Sequence, residues 1–338
     1  MQASQSQTSA SPVPAASAST RRDPVLARWL ALAIVPALAL WLAPSAVRAD
    51  EKPAGNHAAK ANADGAKGDA IDNDPAQWLR FIEDGKGGGK LEVATGTYKN
   101  DNGVTVHLVG AVHIGDRGYY QGLSKEFEKY DALLYELVKP ADAGVPAPGA
   151  APRGMIAMFQ RFLQGALELD FQLDGIDYTK PNFVHADMDA ETFARMQEEK
   201  GESLLGLMLS QMVRDLAREM EGKGSKAPQI DAMALVEAFN SPDRARQFKL
   251  ILARGFGDLE EQMAGMQGTV ILTERNKKAV SVLREQIRAG KKNIGVFYGA
   301  AHMSDLESRL ALMGFKRTGM EWRTAWDMTT GGGKDKAH

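Results

Sequence analysis

The sequence contains no cysteine among its 338 residues. Cysteine ligation of zinc or of an iron–sulfur cluster is therefore excluded, and so is covalent attachment of a c-type haem. Disulfide bonds cannot stabilise the chain, which leaves the hydrophobic core as the source of its stability. A chain of this length can bury enough apolar surface to fold around a single core.

A strong excess of charge of either sign is also missing. The chain has 41 Lys and Arg residues against 43 Asp and Glu residues, a formal net charge of −2 at pH 7. Proteins whose main partner is a nucleic acid or an anionic membrane surface are usually basic. The charge balance therefore argues against both of these partners.

The N-terminal segment has the pattern of an export signal. Arg21 and Arg22 precede an apolar stretch, residues 25–42, which is followed by small residues. This pattern predicts a secretory signal peptide over residues 1–49 and a periplasmic or secreted mature protein. An uncleaved membrane anchor is the alternative, although the apolar stretch is short and contains a proline.

Composition divides the rest of the chain. Residues 50–75 are rich in Ala, Gly, Lys and Asn and predict a disordered linker, and residues 331–338 predict a loose, disordered tail. The folded domain is expected over residues 76–330. A helical insertion is expected at about 153–268, where apolar residues recur at helical spacing.

Local patterns predict several elements of this domain. Apolar residues over 78–82 lie at helical spacing and predict a short helix. Residues 91–98 and 104–109 predict two strands joined by an Asn-Gly turn. Trp322 and Trp326 have an even spacing within a closing β element, so both are expected on one face of it.

A seven-residue motif occurs twice in closely similar form. Residues 110–116 read GAVHIGD and residues 299–305 read GAAHMSD, and each copy follows a short apolar, strand-like run. The shared glycine and histidine are Gly110 and His113 in the first copy, and Gly299 and His302 in the second. A glycine just past a strand allows a sharp turn or a close approach of another group.

The two histidines are candidate ligands of one site. Each follows the carboxyl end of a predicted strand, where open α/β sheets place their ligand crevices. If the two strands are neighbours, His113 and His302 face one crevice. The alternative is that each histidine is only a hydrogen-bonded loop residue.

Glu136 is the one carboxylate in the apolar run over residues 132–138, which predicts a buried strand. An ionised carboxylate is costly to bury without a cation, a metal or hydrogen-bond donors nearby. Glu136 is therefore a candidate site residue, and a structural ion pair with Lys or Arg is the alternative.

A long helix is predicted from about residue 269 to 289, with Glu274, Arg275 and Asn276 near its start. Adjacent helix residues point in different directions, so these three are not expected to face one site together. Arg275 is the best candidate to reach the crevice, and the other two are accessory candidates. A solvated or ion-paired surface arginine is the alternative.

His185 is a further accessory candidate. It lies close to Asp187 and Asp189, ahead of a helix that is predicted to start near residue 190. The structural alternative for this stretch is an N-cap, because Asp189 precedes the helix directly.

Taken together, these motifs resemble the TraB/PrgY/GumN family, to which the TIKI metalloproteases are similar. The resemblance rests on the paired G-x-x-H motifs, on Glu136 and on residues 274–276, which follow in the same order. It spans about residues 97–315. Erythromycin esterases and ChaN-like haem-binding proteins are more distantly similar. The resemblance implies an α/β fold with a mixed sheet of two related halves, each ending in a G-x-x-H motif, and a large helical insertion between them.

The resemblance also suggests divalent-metal hydrolysis, and the leading hypothesis is an exported hydrolase that cleaves an amide or peptide bond. His113, His302 and Glu136 are then metal ligands, with Glu136 alternatively the general base. Arg275 is assigned to stabilise the oxyanion. Two histidines and one carboxylate suit Mn, Co, Zn or Fe without selecting among them.

A binding protein is the alternative function. The same crevice would then hold a peptide signal or haem without turnover, with Tyr135 and Tyr298 near the motifs as available haem ligands. A metal-free enzyme with His113 as base and a catalytically inactive scaffold are further alternatives.

Overall fold

The computed structural model describes residues 78–144, 165, 167–202, 234, 237–238, 240–255 and 269–330. The expected signal peptide, linker and tail lie outside these residues, as does much of the expected helical insertion. Among the described residues, no helix is both long enough and apolar enough to cross a membrane.

The domain is an α/β fold around a seven-stranded mixed sheet. Its strands are β1 (Leu79–Glu83), β2 (Gly89–Lys99), β3 (Thr105–Ala111), β5 (Ala132–Tyr135), β7 (Phe183–His185), β8 (Asn293–Gly299) and β9 (Lys316–Asp327). The order is β1-β2-β3-β8-β5-β7, and β9 pairs with β2. The neighbours β3, β8, β5 and β7 run parallel, whereas β2 pairs antiparallel with β1, β3 and β9. Two short strands, β4 (Ile114–Gly115) and β6 (Asp170–Phe171), form a separate antiparallel pair.

Helices cover the sheet on both faces. They are α1 (Arg117–Phe127), α2 (Gln172–Gly175), α3 (Ala190–Glu199), α4 (Arg244–Gly255), α5 (Arg275–Arg288) and α6 (Met303–Leu312), with a π-helix (Val270–Glu274) before α5 and a 3-10 helix (Ala300–His302) before α6. Along β8, Phe297 belongs to one hydrophobic cluster with residues of α1 and α4, whereas Val296 and Tyr298 belong to another with residues of α5 and α6. A central strand buried on both faces explains its continuous apolar sequence.

The hairpin predicted around the Asn-Gly turn is confirmed. β2 and β3 pair antiparallel, and the Asn100 side chain accepts hydrogen bonds from the backbone N–H groups of Asn102 and Val104. Gly103 has a φ of 72°, which a residue with a side chain adopts only with strain. The turn residues therefore determine the register of these two strands.

The short helix predicted over residues 78–82 is wrong, because residues 79–83 form the strand β1. The apolar residues among positions 78–82 fit helical and strand spacing alike, and an isolated helix of five residues is unstable. Pairing with β2 decides the outcome: the Asp84 carboxylate accepts hydrogen bonds from the N–H groups of Lys86 and Gly88 and closes a tight turn between the two strands.

The two tryptophans of β9 do not share a face. Trp322 pairs with Ala94 and Trp326 with Leu91, and a register shift falls between Leu91 and Glu92. Because of the bulge, the two partners on β2 are three positions apart, an odd number, so the side chains point to opposite faces. Trp326 packs in the cluster beside α1, and Trp322 packs against the cluster beside α5.

The stretch expected as a helical insertion also contains a strand of the sheet. β7 runs parallel to β5, with Tyr135 opposite His185. It extends the parallel part of the sheet by a fourth strand. The short strand β6 and the helices α2, α3 and α4 are the other described elements of this stretch.

Candidate functional site

Four parallel strands end at one edge of the sheet, and each is followed within three residues by a polar side chain. These side chains are His113 after β3, His302 after β8, Glu136 after β5 and Asp187 after β7. β3 and β8 are direct neighbours, with Ala111 opposite Gly299. The expectation that the two motif strands lie side by side is therefore confirmed.

The expected ligands surround Gly299. A Cβ atom on Gly299 would lie 3.5 Å from Glu136 Oε2, 3.8 Å from His302 Cδ2 and 3.9 Å from His113 Nε2. The space that a side chain would fill here is bordered by all three residues predicted to bind metal. The backbone N–H of Gly299 also donates a hydrogen bond to Glu136 Oε2 at 2.7 Å.

Glu136 is buried and ionised. Its Oε1 accepts a hydrogen bond from Arg275 Nη2 at 2.6 Å, and Glu136 as a whole is only 5% exposed. Burial raises the pKa of the Glu136 carboxyl, but the positive charge of Arg275 and weaker contributions from the two motif histidines lower it overall, to about 2. At neutral pH the residue is therefore a carboxylate anion.

Arg275 is held between two carboxylates. It donates from Nε to Asp187 Oδ1 at 2.9 Å and from Nη2 to Asp187 Oδ2 at 2.5 Å, in addition to its bond to Glu136. Burial lowers the pKa of Arg275, but the charges of the two carboxylates raise it overall above its usual value. Both Arg275 and Asp187 are essentially inaccessible to solvent. This placement does not favour the expected oxyanion role, because the guanidinium is already engaged by Glu136 and Asp187.

Sequence reasoning did not select Asp187. The residue lies two positions beyond the end of β7, as His113 lies two positions beyond the end of β3. The rule that found the histidines could have found it, had β7 been recognised as a parallel strand. Nearby Asp189 does cap α3 as expected, since its side chain accepts a hydrogen bond from the N–H of Thr192.

His302 presents one ring nitrogen to Glu136. Its Nδ1 lies 2.7 Å from Asn276 Oδ1, and its Nε2 lies 3.6 Å from Glu136 Oε1. Burial lowers the pKa of His302 to about 4, against the opposing effect of the Glu136 charge. The imidazole is therefore neutral at neutral pH.

Two of the three adjacent residues around the start of α5 face the site and the third does not, in agreement with the expectation that the three would not face it together. Arg275 binds Glu136 while Asn276 binds His302, because these partners lie on different strand ends that flank the start of the helix. Glu274 points elsewhere and forms ion pairs with Lys200 and Lys277. A π-helix precedes these residues, a distortion that is frequent at functional sites.

His185 lies near the site but has a backbone partner. Its Nε2 is 2.6 Å from the carbonyl oxygen of Leu137, and its ring packs against Tyr135. This contact links the end of β7 to the segment that follows Glu136. The structure thus gives His185 a packing role beside the site.

The loop that carries His113 is held on several sides. The hydroxyl of Tyr120 donates to the carbonyl oxygen of Val112 at 2.9 Å, and Trp326 Nε1 donates to that of Ile114 at 2.8 Å. The backbone N–H of Gln172 donates to the carbonyl oxygen of His113 itself at 2.9 Å. His113 therefore extends from a fixed backbone and is half-buried at the strand edge.

The donor set fits a divalent cation in chemistry and approximately in spacing. Two ligand atoms at about 2.0–2.1 Å from one tetrahedral ion are roughly 3.4 Å apart, close to the 3.6 Å between His302 Nε2 and Glu136 Oε1. Within the described residues, however, no three His, Asp or Glu side chains are already arranged to hold one ion. His113 Nε2 borders the same space beside Gly299.

The tyrosines of the haem alternative are buried. Tyr135 is 2% exposed and Tyr298 is fully buried. The hydroxyl of Tyr298 donates to the carbonyl oxygen of Ala186 at 2.6 Å, and its ring packs against His302. These tyrosines are thus parts of the packing around the site.

Comparison of the chain with models of protein families, with curated proteins and with solved structures gave no match.

Proposed function

We propose that this protein is a divalent-metal-dependent hydrolase that cleaves an amide or peptide bond. The observation that carries the proposal is the convergence of His113, His302 and Glu136 around Gly299, at the carboxyl edge of four parallel strands. A bound divalent ion supplies Lewis-acid polarisation of a carbonyl group and activation of a water molecule. The residues that would hold it are His113, His302 and Glu136.

The charge of the buried cluster supports a cation at this place. Arg275 contributes one positive charge, whereas Glu136 and Asp187 contribute two negative charges, and His302 is neutral. An uncompensated buried charge is costly. The excess of one negative charge favours a cation beside Glu136, and the nearby imidazole nitrogens would complete its coordination.

Glu136 is proposed as a ligand and not as the general base. A general base works best when its pKa lies near the operating pH. The pKa of Glu136, about 2, makes this carboxylate a weak proton acceptor at neutral pH. Hydrogen bonds to both oxygens, from Arg275 and Gly299, fix its orientation, as a ligand requires.

Arg275 is proposed as the residue that positions Glu136. Arg275 lies between Glu136 and Asp187, where it neutralises the Glu136 carboxylate. It is too buried to contact a substrate directly. The bond class that the enzyme cleaves rests on the resemblance to the TIKI metalloproteases and on the expected export of the chain. Substrates are accordingly expected to be peptides or small amides outside the cytoplasm.

The proposal is tested by an activity measurement on purified protein. The protein is stripped with a chelator, reloaded with Mn, Co or Zn, and incubated with a peptide library whose products are identified by mass spectrometry. New peptide ends are expected only after reloading. They should disappear in Glu136→Gln and remain in Glu307→Gln, a control on α6 whose carboxylate binds Tyr98 and Arg317 instead.

The same experiment separates the alternatives. Peptides retained uncleaved by the reloaded protein would support a binding protein and contradict the hydrolase. A Soret absorbance on the protein as purified would support haem binding. Cleavage that is equal with and without the added metal would contradict the metal-dependent mechanism.

A further inference from the structure

Asp305 contacts Asn276, although it does not contact His302 in the described hydrogen-bond network. Its Oδ2 accepts a hydrogen bond from Asn276 Nδ2 at 2.7 Å. Arg309, one turn later on α6, donates to both oxygens of the carboxylate, at 2.6 Å from Nε and 3.1 Å from Nη2. The bidentate ion pair holds the Asp305 carboxylate in a fixed orientation.

An ionised carboxylate can only accept hydrogen bonds, so the amide nitrogen of Asn276 has to face Asp305. The same amide nitrogen donates to the carbonyl oxygen of His302 at 3.2 Å. The amide oxygen of Asn276 therefore faces the imidazole. The hydrogen-bond partners thus determine which side-chain atom of Asn276 is the oxygen and which is the nitrogen.

The orientation of Asn276 determines which nitrogen of His302 carries the proton. Asn276 Oδ1 is an acceptor and lies 2.7 Å from His302 Nδ1, so Nδ1 has to donate. In a neutral imidazole the other nitrogen is then an acceptor. His302 Nε2 accordingly directs a lone pair toward Glu136 Oε1, 3.6 Å away.

Two acceptors that face one another across this distance repel unless a cation or a proton lies between them. The relay of Arg309, Asp305 and Asn276 thus holds His302 in a form that directs two acceptors at each other and is suited to a metal ion between them. Histidine ligands commonly have their other ring nitrogen fixed by such a partner.

We propose that Asp305 is a positioning residue that, through Asn276, fixes the Nδ1–H tautomer of His302 and leaves Nε2 free as a ligand atom. The assignment of the tautomer stands on the hydrogen-bond network alone. Only its consequence for metal affinity rests on the proposed function.

The equivalent residue of the first motif does not have this role. Asp116 accepts hydrogen bonds from Lys249 Nζ at 3.0 Å and from the N–H of Asp327 at 2.6 Å. These partners attach the His113 loop to α4 and β9. The shared Asp of the two motifs therefore stabilises each loop in a different way, and within the described residues the Asp of the second copy connects to an imidazole through an amide.

The experiment reads the tautomer directly. Nitrogen-15 NMR of uniformly labelled, metal-free protein at neutral pH distinguishes the Nδ1–H from the Nε2–H form of His302. Wild type is expected to show the Nδ1–H form, and an Nε2–H form would overturn the proposal without any variant.

Substitutions then test whether Asp305 fixes the tautomer of His302. Asp305→Leu removes the closer of the two acceptors of the Asn276 amide nitrogen and leaves the carbonyl oxygen of His302 as the longer contact. With this weaker restraint Asn276 can rotate, and His302 is expected to shift toward the Nε2–H form. Asp305→Ala serves the same purpose if the leucine variant does not fold. Adding Asn276→Asp, whose carboxylate can only accept, is expected to restore the Nδ1–H form. Glu307→Leu, on the same helix, is the control and should leave the tautomer unchanged.

Metal binding gives a second readout. Asp305→Leu is expected to weaken Mn or Co affinity by at most roughly 10–100-fold, the range for loss of a direct partner of a ligating histidine. An unchanged tautomer in Asp305→Leu would overturn the proposal. Absence of metal binding in wild type with the Nδ1–H tautomer in place would contradict the proposed function and leave this inference standing.

Discussion

Arg275 and Asp187 form a bidentate ion pair that is sealed from solvent, with hydrogen bonds of 2.9 and 2.5 Å and side-chain exposures of 1% and 0%. The pair joins the start of α5 to the end of β7, which are 88 residues apart in the chain. Because Arg275 also binds Glu136, the ion pair sets the position of the carboxylate at the centre of the site.

Removal of the guanidinium is expected to destabilise the fold strongly. Arg275→Met leaves Glu136 and Asp187 buried without their cation, and breaking a buried pair in this way costs about 3–5 kcal/mol. Asp187→Asn is expected to cost less, because the amide oxygen can still accept from Arg275. The free energy of unfolding in urea measures both effects.

The matched control for this prediction is Arg254→Met. Arg254 pairs with Glu83 at 3.2 Å, but both side chains are more than half exposed. Its removal is expected to change the free energy of unfolding by less than about 1 kcal/mol. An effect of Arg275→Met as small as that of Arg254→Met would show that the buried pair does not stabilise the fold.

The two motif glycines are expected to respond differently to alanine. A Cβ on Gly299 would meet its nearest neighbours at 3.5 Å or more, so Gly299→Ala should fold but fill space at the site. A Cβ on Gly110 would lie 3.0 Å from both Ala94 O and Val93 Cγ1. Gly110→Ala is therefore expected to lose about 1–3 kcal/mol of stability through overpacking.

Metal titration and urea unfolding of the two variants check this contrast. Gly299→Ala is expected to bind Mn or Co up to about tenfold more weakly than wild type, while its free energy of unfolding stays nearly unchanged. Gly110→Ala should lose stability while its affinity for Mn or Co stays nearly unchanged. Normal metal affinity in a folded Gly299→Ala variant would exclude the space beside Gly299 as the metal site.

His107 gives a pH dependence that is independent of the site. Its ring lies between Thr97 Oγ1 at 3.1 Å and Asn293 Oδ1 at 3.0 Å. Burial lowers the pKa of His107, and this effect exceeds the opposing hydrogen bond to Asn293. The folded state thus binds its proton less readily than the unfolded chain does, whose histidine has a pKa of about 6.5.

The contribution of His107 to stability is therefore fully present above pH 6.5 and is lost as the pH falls through the pKa of the folded state. The slope cannot exceed about 1.4 kcal/mol per pH unit for one proton. Urea unfolding at pH 7.5 and pH 5 should show that wild type loses more stability than His107→Gln. An equal loss in both proteins would contradict the lowered pKa.

The convergence of the motif residues was predictable from sequence for a simple reason. Parallel strands present their carboxyl ends at the same edge of a sheet, so residues that follow such strands meet without any knowledge of the loops. This reasoning placed His113, His302 and Glu136 correctly relative to one another. The hairpin around Gly103 was predictable because its turn residues are specific to that geometry.

The remaining features depend on tertiary pairing that no local pattern reports. β1 takes its conformation from β2, and the bulge opposite Leu91 reverses the face of Trp326. The partners of Arg275 and Asn276 come from β5, β7 and α6, and only the folded chain brings them to the start of one helix. For that reason the role of Asp187 was missed, and the contact of Asn276 with His302 could not be foreseen in detail.

The most direct test of the site is the metal content of histidine variants. Wild type, His113→Ala, His302→Ala and the control His107→Gln are loaded with Mn or Co, desalted and analysed for bound metal per chain. We expect stoichiometric metal in wild type and His107→Gln, and its loss in both alanine variants with folding retained. Metal retained in either alanine variant, or absent from wild type, would contradict a shared ion between the two strand ends.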